Sequence, residues 1–244
     1  MIDDVPPLSE TIDEDFEAWN LFPELRWVFN KLEVALRLGH NAGPSGVPVL
    51  EAGYYIIRPA YNLYGMGLGA KKKWIDPDRD WNDLLEAQIV PPGYFWCEYF
   101  EGEQLSIDFE RVRDDWVPIC AMRGVLRDST NDLRQFDFWE RVSMPENFRL
   151  PRFLKREIFR SAFLNIEMKG GKIFEVHLRS GNDVLREEPV GTRVYPIWST
   201  DSEDRKAHLP FVENLDSPPV LYSLDRSEPE PSRLGFRIER PSFH

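Results

Sequence analysis

Apolar residues follow two kinds of spacing along the chain, and each kind predicts a different element. Over residues 19–38 they recur at steps of three and four residues, which predicts one amphipathic helix after Pro23 that ends at Gly39. A basic helix with one apolar face is predicted over 151–162. Alternating or β-prone runs predict strands at 54–57, 94–97, 105–109, 116–126, 163–168 and 173–178.

The last two predicted strands are joined by residues 169–172, whose two glycines indicate a tight antiparallel turn. Strand period places Asn165 and Glu167 on one face of the first strand. On the second strand, Glu175, His177 and Arg179 share a face. The turn therefore predicts that Glu167 and Glu175 approach each other.

Two carboxylates beside an imidazole and an amide suit a Mg²⁺ or Mn²⁺ site, because hard cations take oxygen ligands. A general acid/base pair is an alternative use of the same carboxylates. A surface hairpin with a solvated polar face is the third interpretation, and the hairpin alone does not decide among them.

A second informative stretch covers residues 54–73, where a short strand ends at Arg58-Pro59. Gly65, Gly67 and Gly69 follow at alternate positions, and three lysines occupy 71–73. Alternate glycines can turn several backbone N–H groups toward one anion, and an arginine can fork onto phosphate oxygens. The stretch is therefore either a triphosphate-binding loop or a glycine-rich hairpin followed by solvated lysines.

The two ends of the chain carry little periodicity. Residues 1–17 are acidic and contain prolines, which predicts an arm. A firm break is expected at 91–93, and 101–104 resembles a hairpin turn. Residues 199–244 predict no regular unit and suggest an extended segment that wraps the domain or docks a partner.

Composition limits the classes of partner. The 244 residues carry a formal net charge of −12, which argues against broad nucleic-acid or anionic-membrane affinity. Cys97 and Cys120 are too few for a disulfide framework and predict a reducing, cytoplasmic setting. No apolar run approaches the roughly 20 residues of a membrane helix, and the acidic start lacks a signal-peptide pattern.

Taken in order, four places resemble the ATP-grasp superfamily, and within it the ATP-binding half of carbamoyl-phosphate synthetase large chains. Asn30-Lys31-Leu32, with Gly46-Val47-Pro48 after the helix, resembles the family's Asp-Lys helix and Gly-Val-Pro segment. Ile56-Ile57-Arg58-Pro59 and the glycine loop resemble its strand ending in Lys-Pro or Arg-Pro. Lys31, Arg58 and the loop glycines would then contact the nucleotide phosphates.

The remaining two places supply the other half of the resemblance. Residues 98–108 resemble the hinge that holds adenine and ribose, with Glu98 and then Glu101 as the implied contacts. The hairpin resembles the family's metal strands, so Glu167 and Glu175 would bind Mg²⁺, joined by His177. Arg179 would face the phosphates or the acyl intermediate and, with Arg58, form the implied catalytic pair.

The resemblance implies an α+β fold in which two subdomains with antiparallel sheets sandwich a nucleotide cleft. The expected division is an arm at 1–20, a first subdomain at 21–90, a second at 91–198 and an extended segment at 199–244. The implied activity is an ATP- and Mg²⁺-dependent ligase that activates a carboxylate as an acyl-phosphate for attack by an amine or similar nucleophile. Mn²⁺ is an alternative metal.

Departures from the family pattern keep other interpretations open. His177 stands where the family usually has Asn, and the segment before Lys31 is too short for the α/β domain that normally precedes the module. The partners expected are small carboxylate and amine substrates, or a protein that supplies the acceptor site. Assembly into a homo-oligomer is a further alternative. The rival interpretations are a non-catalytic relative with a nucleotide-binding or assembly role, and an unrelated α+β protein.

Overall fold

In the residues that the structure describes, the chain forms two antiparallel sheets, four short α-helices and one 3₁₀ helix. This computed structural model describes residues 12, 14–63, 67, 69–127, 133, 135–146, 148–181, 185–202 and 233–241. One sheet has four strands and the other has seven. The predicted α+β class with antiparallel sheets is confirmed.

The first sheet has the strand order β1-β4-β2-β3 and is interleaved with helices along the chain. Strand β2 pairs with a neighbour on each side. Arg58 lies opposite Phe95 on β4, and Ile57 lies opposite Lys71 on β3. In chain order the elements are α1 (Asp15–Leu21), a 3₁₀ helix (Pro23–Phe29), α2 (Lys31–Arg37), β1 (Ala42–Pro44), β2 (Gly53–Pro59), β3 (Lys71–Ile75), α3 (Pro77–Leu85) and β4 (Tyr94–Glu98).

The second sheet has the order β11-β10-β7-β6-β5-β8-β9, so the predicted hairpin forms one edge. Asn165 pairs with His177 and Glu167 with Glu175, as the strand period predicts. The elements are β5 (Gln104–Val112), β6 (Asp115–Leu126), β7 (Phe136–Arg141), α4 (Arg152–Glu157), β8 (Phe163–Lys169), β9 (Lys172–His177), β10 (Arg193–Trp198) and β11 (Arg233–Glu239).

The single helix predicted over 19–38 is wrong, because the chain turns twice within it. Pro23 begins a 3₁₀ helix, and Asn30 ends it with an extended backbone. The Asn30 side chain then accepts a hydrogen bond from the Glu33 N–H, so it caps α2. This break sets the direction of α2 and places Lys31 at its first residue.

Three further expectations are corrected. The chain is already helical from Asp15, inside the predicted arm, and Asp15 is buried. Residues 101–104 do not close a hairpin, because β4 and β5 belong to different sheets. The segment predicted to lack a regular unit contains β11, which pairs along β10 from Arg193 to Trp198.

The main hydrophobic core packs the N-terminal helices against β5, β8 and β9, with Phe22, Val28, Ile107 and Ile166 among its buried members. A smaller core lies where α2 meets β4, and it includes Phe95 and Phe100. These two cores hold α1 and α2 beside the polar positions of the β8–β9 hairpin. In the part of the chain that is described, no helix has the length and apolar character to cross a membrane.

Candidate functional site

The Glu175 carboxylate on β9 is the centre of a buried cluster of charged side chains. Its Oε2 lies 2.6 Å from the Lys31 Nζ, and its Oε1 accepts a hydrogen bond from Arg58. The His177 Nε2 lies 3.3 Å from the same Oε2. The Glu175 side chain is only 11% exposed, so three cationic or basic groups meet one nearly desolvated carboxylate.

Lys31 and Arg58 reach Glu175 because the end of β2 and the start of α2 are joined. The Lys31 N–H donates to the Ala60 carbonyl at 2.8 Å, and Asn30 forms an isolated β-bridge with Tyr61. The Arg58 guanidinium lies between two rings, 6.0 Å from the Phe95 centroid and 5.9 Å from that of Phe174. One backbone junction thus presents both cations to the second sheet.

A potential metal-binding group lies beside these cations. Glu167, Glu175 and His177 each offer a ligand atom, and these atoms all lie within 4.8 Å of one another. Glu167 is the accessible member, since 30% of its side chain is exposed. The antiparallel register of β8 and β9 produces this arrangement directly, because Glu167 stands opposite Glu175 and His177 is two residues farther along β9.

Asp15 on α1 completes the cluster, although sequence reasoning missed it. Its Oδ2 lies 2.9 Å from the His177 Nδ1, and its Oδ1 accepts a hydrogen bond of 2.9 Å from the Arg179 Nε. Asp15 is 2% exposed. It lies in an acidic stretch without periodicity, and its partners are 162 and 164 residues away, so no local signal identified it.

The charges in the cluster hold one another in their ionised forms. Burial raises the pKa of Glu175, but Arg58 and Lys31 outweigh burial and hold that pKa well below its ordinary value. Burial lowers the pKa of His177, yet Asp15 and the two glutamates raise it well above 6.5. Burial also opposes the charge on Asp15, while His177 and Arg179 lower its pKa from 3.8 to about 2.

The space enclosed by these groups is small. The cavity volume is about 10 Å³, which is near the minimum for one water molecule. It is therefore too small for a nucleotide in this conformation. The residues that line it are Asp15, Val28, Phe29, Lys31, Val34, Asn62, Phe174, Glu175, Val176 and His177.

The predicted glycine loop lies between β2 and β3 in the sequence, and the structure describes Gly67 and Gly69 of it. Gly67 and Gly69 both have positive φ, and a Cβ at Gly69 would lie 3.0 Å from the Tyr94 hydroxyl. Gly65 lies outside the described residues. The lysines expected to add charge to the loop are on β3, where the Lys72 Nζ lies over the Tyr54 and Tyr99 rings at 4.4 and 3.8 Å.

Of the remaining predicted site residues, Glu98 and Glu101 lie outside the cluster, and Arg179 contacts it through Asp15. The Glu98 carboxylate binds the Lys172 Nζ at 2.9 Å and accepts from the Asn41 N–H at 3.2 Å. Glu101 is exposed on the connection between the two sheets. Arg179 donates to Asp15 and to the Ser180 carbonyl, so its guanidinium is directed to the N-terminal helix.

Comparison with known proteins gives matches at the level of solved structures. No family model matches the chain, and no curated protein matches it. An L-amino acid ligase from Bacillus licheniformis is 11% identical with a TM-score of 0.42, covering 64% of this chain and 41% of its own. The ATP-grasp ligase PsnB, complexed with a minimal precursor, is 14% identical with a TM-score of 0.39, covering 65% and 53%.

N5-carboxyaminoimidazole synthetase from Staphylococcus aureus, complexed with ADP, is 10% identical. Its TM-score is 0.39, and the match covers 70% of this chain and 57% of the synthetase. The chain thus spans about 40 to 60% of the length of these structures. Identities this low leave the chemistry to be argued from the chain's own residues.

Proposed function

We propose that the protein is an ATP-grasp-type ligase that uses ATP and a divalent metal ion to join a carboxylate to an amine or similar nucleophile. The observation that carries the proposal is the meeting of Lys31 and Arg58 with Glu175 across the two sheets. These residue types in this order also carry the resemblance to the ATP-binding half of carbamoyl-phosphate synthetase large chains. Their meeting supports the proposal, because it brings the candidate phosphate-binding cations next to the candidate metal ligands.

Charge balance indicates what kind of ligand this cluster accepts. A neutral ligand that separated Glu175 from Lys31 and Arg58 would leave buried charges uncompensated, which costs several kcal/mol per ion. A polyanion alone would neutralise Lys31 and Arg58 but would repel Glu175. A metal ion alone would neutralise Glu175 but would repel Lys31 and Arg58. A metal–triphosphate complex compensates all three groups at once, because its oxygens take the cations and its metal takes the carboxylate.

In this proposal Lys31 and Arg58 hold the β- and γ-phosphate oxygens and neutralise the charge that develops during transfer. Glu167, Glu175 and His177 hold the metal ion, and their close ligand atoms fit a small divalent cation. A bound metal ion supplies Lewis-acid polarisation of the phosphoryl oxygens. The chain's own contribution is to place these groups on opposite sides of one cleft.

The reaction proposed has two steps. A carboxylate oxygen attacks the γ-phosphorus, the bond to the β–γ bridging oxygen breaks, and acyl-phosphate and ADP form. The amine then attacks the acyl carbon, inorganic phosphate leaves, and the amine loses a proton. Lys31 and Arg58 are buried, and a transfer site shielded to this degree would protect the acyl-phosphate from hydrolysis.

The other predicted residues take supporting roles in the proposal. The loop that contains Gly65, Gly67 and Gly69 closes over the phosphates with its N–H groups. Glu98, at the end of β4, and Glu101, on the connection between the sheets, contact the base and ribose. Arg179 faces the acyl intermediate once Asp15 releases it. The substrates are small carboxylates and amines, or a partner protein supplies the acceptor site.

Nucleotide binding tests the proposal directly. Titration with ATP in the presence and absence of Mg²⁺ is expected to show metal-dependent binding that Glu175→Gln removes. Glu140→Gln is the matched control, because Glu140 also lies between two basic side chains, Arg123 and Arg193, and its side chain is also 11% exposed. Equal ATP affinity in Glu175→Gln and in the unmodified protein contradicts the metal assignment.

A non-catalytic nucleotide-binding or assembly role is the second candidate. It is favoured by the small volume of the cavity, about 10 Å³, and by the use of Arg179 to hold Asp15. Incubation with ATP, Mg²⁺ and pooled amino acids separates the two roles. Release of ADP supports the ligase, whereas binding of ATP without ADP release supports the second candidate.

A further inference from the structure

The two ring nitrogens of His177 have different surroundings. Nδ1 is 2.9 Å from the Asp15 Oδ2, and since a carboxylate only accepts, Nδ1 carries a proton. Nε2 is buried and has no hydrogen-bond partner in the described part of the chain. It is directed toward the two glutamates, 3.3 Å from the Glu175 Oε2 and 3.7 Å from the Glu167 Oε1.

We propose that Asp15 positions His177 as a nitrogen ligand of the metal centre, and that this centre therefore prefers a divalent transition-metal ion such as Mn²⁺ to Mg²⁺. The inference rests on the proposed function, since it specifies the metal of that same site. It adds a positioning residue from the N-terminal helix and replaces the expectation of Mg²⁺ as the preferred ion.

Asp15 is suited to this task because it is itself held in place. Its other carboxylate oxygen accepts from the Arg179 Nε, so the carboxylate is fixed from two sides. It lies in the first turn of α1, where Glu14 and Glu17 form a capping box. A histidine that ligates a metal almost always donates its other ring N–H to such a partner, which fixes the orientation of the ring.

The ligand set explains the metal preference. Mg²⁺ is a hard cation that takes oxygen ligands in near-ideal octahedral geometry. Replacement of one oxygen by an imidazole nitrogen weakens the site for Mg²⁺ and suits transition metals, whose affinities for nitrogen ligands follow a rising series from Mn²⁺. Glu167 and Glu175 retain the two oxygens that Mn²⁺ also accepts.

The orphan Nε2 is the observation that favours a ligand over a purely structural histidine. A structural histidine in a buried cluster would satisfy both nitrogens, because an unpaired buried polar atom costs about 1–3 kcal/mol. Ligation needs the neutral imidazole, so a metal ion between His177, Glu167 and Glu175 would displace the Nε2 proton and satisfy Nε2 and both carboxylates together. Lys31 and Arg58, which hold Glu175 here, would transfer to the phosphates.

Direct metal binding to the full chain tests the inference without any turnover. Mn²⁺ affinity is measured by electron paramagnetic resonance, and Mg²⁺ affinity by competition against Mn²⁺, both with and without ADP. We expect Mn²⁺ to bind at least about tenfold more tightly than Mg²⁺. Spin-echo modulation from a ¹⁴N nucleus bound to Mn²⁺ is expected, and its absence in the unmodified protein overturns the inference.

Two variants separate a positioning role from a structural one. Asp15→Ala is expected to lower Mn²⁺ affinity about 10–100-fold while changing Mg²⁺ affinity much less. Asp15→Asn keeps an oxygen that accepts from Nδ1–H and is expected to restore part of the Mn²⁺ affinity and the ¹⁴N signal. Equal loss of both metals in folded Asp15→Ala means that Asp15 is structural, which contradicts the inference.

His177→Asn keeps the inference testable if Asp15→Ala does not fold. An amide oxygen in place of the imidazole is expected to remove the ¹⁴N signal and to bring Mn²⁺ and Mg²⁺ affinities together. A ¹⁴N signal that survives this substitution would identify another histidine and overturn the assignment. Mg²⁺-dependent ATP binding without a Mn²⁺ preference refutes this inference alone, whereas Mn²⁺ binding without ATP binding refutes the proposed function alone.

Discussion

Two carboxylates in this molecule have nearly the same neighbours but different origins. Glu175 lies between Lys31 and Arg58, and Glu140 lies between Arg123 and Arg193, and each glutamate side chain is 11% exposed. The Glu140 group is built within one sheet, since both arginines stand directly opposite Glu140 on neighbouring strands. The Glu175 group draws its members from α2, β2 and β9.

The difference lies in the exposure of the cations. Arg123 and Arg193 are 37% and 43% exposed, so water screens the charges around Glu140. Lys31 and Arg58 are 8% and 11% exposed, and their charges are desolvated. Desolvation of ion pairs is rarely the most stable arrangement, because apolar groups of similar size do as well or better. The charged group around Glu140 supports its sheet, whereas we attribute the group around Glu175 to the ligand site proposed above.

Removal of the central charge gives the sharpest contrast between the two groups. Glu175→Gln leaves Lys31 and Arg58 buried without a counter-charge, so we expect a loss of about 3–5 kcal/mol in the free energy of unfolding. Glu140→Gln is expected to cost roughly 1 kcal/mol, because its arginines remain partly hydrated. Urea denaturation measures both, and similar losses would show that the two environments are equivalent.

Coupling energies sharpen the same comparison with less dependence on side-chain volume. A double-mutant cycle on Lys31→Met and Glu175→Gln is expected to give a coupling of about 2–3 kcal/mol. The matching cycle on Arg193→Met and Glu140→Gln is expected to give roughly 0.5 kcal/mol. A larger coupling in the second cycle would reverse the interpretation of both groups.

Acid titration tests the buried cluster through Asp15 in the metal-free protein. Its pKa in the folded state is about 2 and its ordinary value is 3.8, so the native state favours the charged form. The stabilisation is complete above about pH 4 and is lost as the pH falls through 2, and it amounts to about 2 kcal/mol. The stability advantage over Asp15→Asn should shrink across that interval; a constant difference would refute the shift.

Added salt gives the smallest expected effect, and it acts on the partly exposed charges around Glu140. Arg193→Met is expected to cost less than about 1 kcal/mol at low ionic strength, and the cost should fall further in 1 M NaCl because exposed charges are screened. The cost of Lys31→Met should change little with salt. Urea unfolding at two salt concentrations provides the measurement, and a strong salt response of Lys31→Met would mean that water reaches the cleft.

Much of the hairpin was predictable from the sequence, because strand pairing is a local rule. The glycines between β8 and β9 specify the turn, and period two then places Glu167 opposite Glu175. The expectation that the segments around Lys31, Arg58 and Glu175 meet came from the order of motifs rather than from periodicity. The assignment of these residues to a nucleotide site stays a prediction.

The parts that sequence reasoning missed depend on distant contacts or on overlooked local signals. Asp15 has no periodic neighbours, and only its contacts with His177 and Arg179 give it a role. β11 has apolar residues at every second position of Arg233–Glu239, a local strand signal that was overlooked, and β10 offers it an edge. The break before α2 was recoverable, since Asn30 is a favoured N-cap residue immediately before a helix.

The segment that connects the two sheets, between β4 and β5, packs directly against the turn between β8 and β9. A methyl group added at Gly170 would lie 2.0 Å from the Glu101 carbonyl oxygen, and the Gly170 N–H donates to the Glu103 carbonyl at 2.9 Å. Two backbone segments this close leave no room for a side chain between them, so a displacement of one segment moves the other. The position of Glu175 on β9 relative to Arg58 is therefore fixed in part by two backbone segments that lie outside the charged cluster.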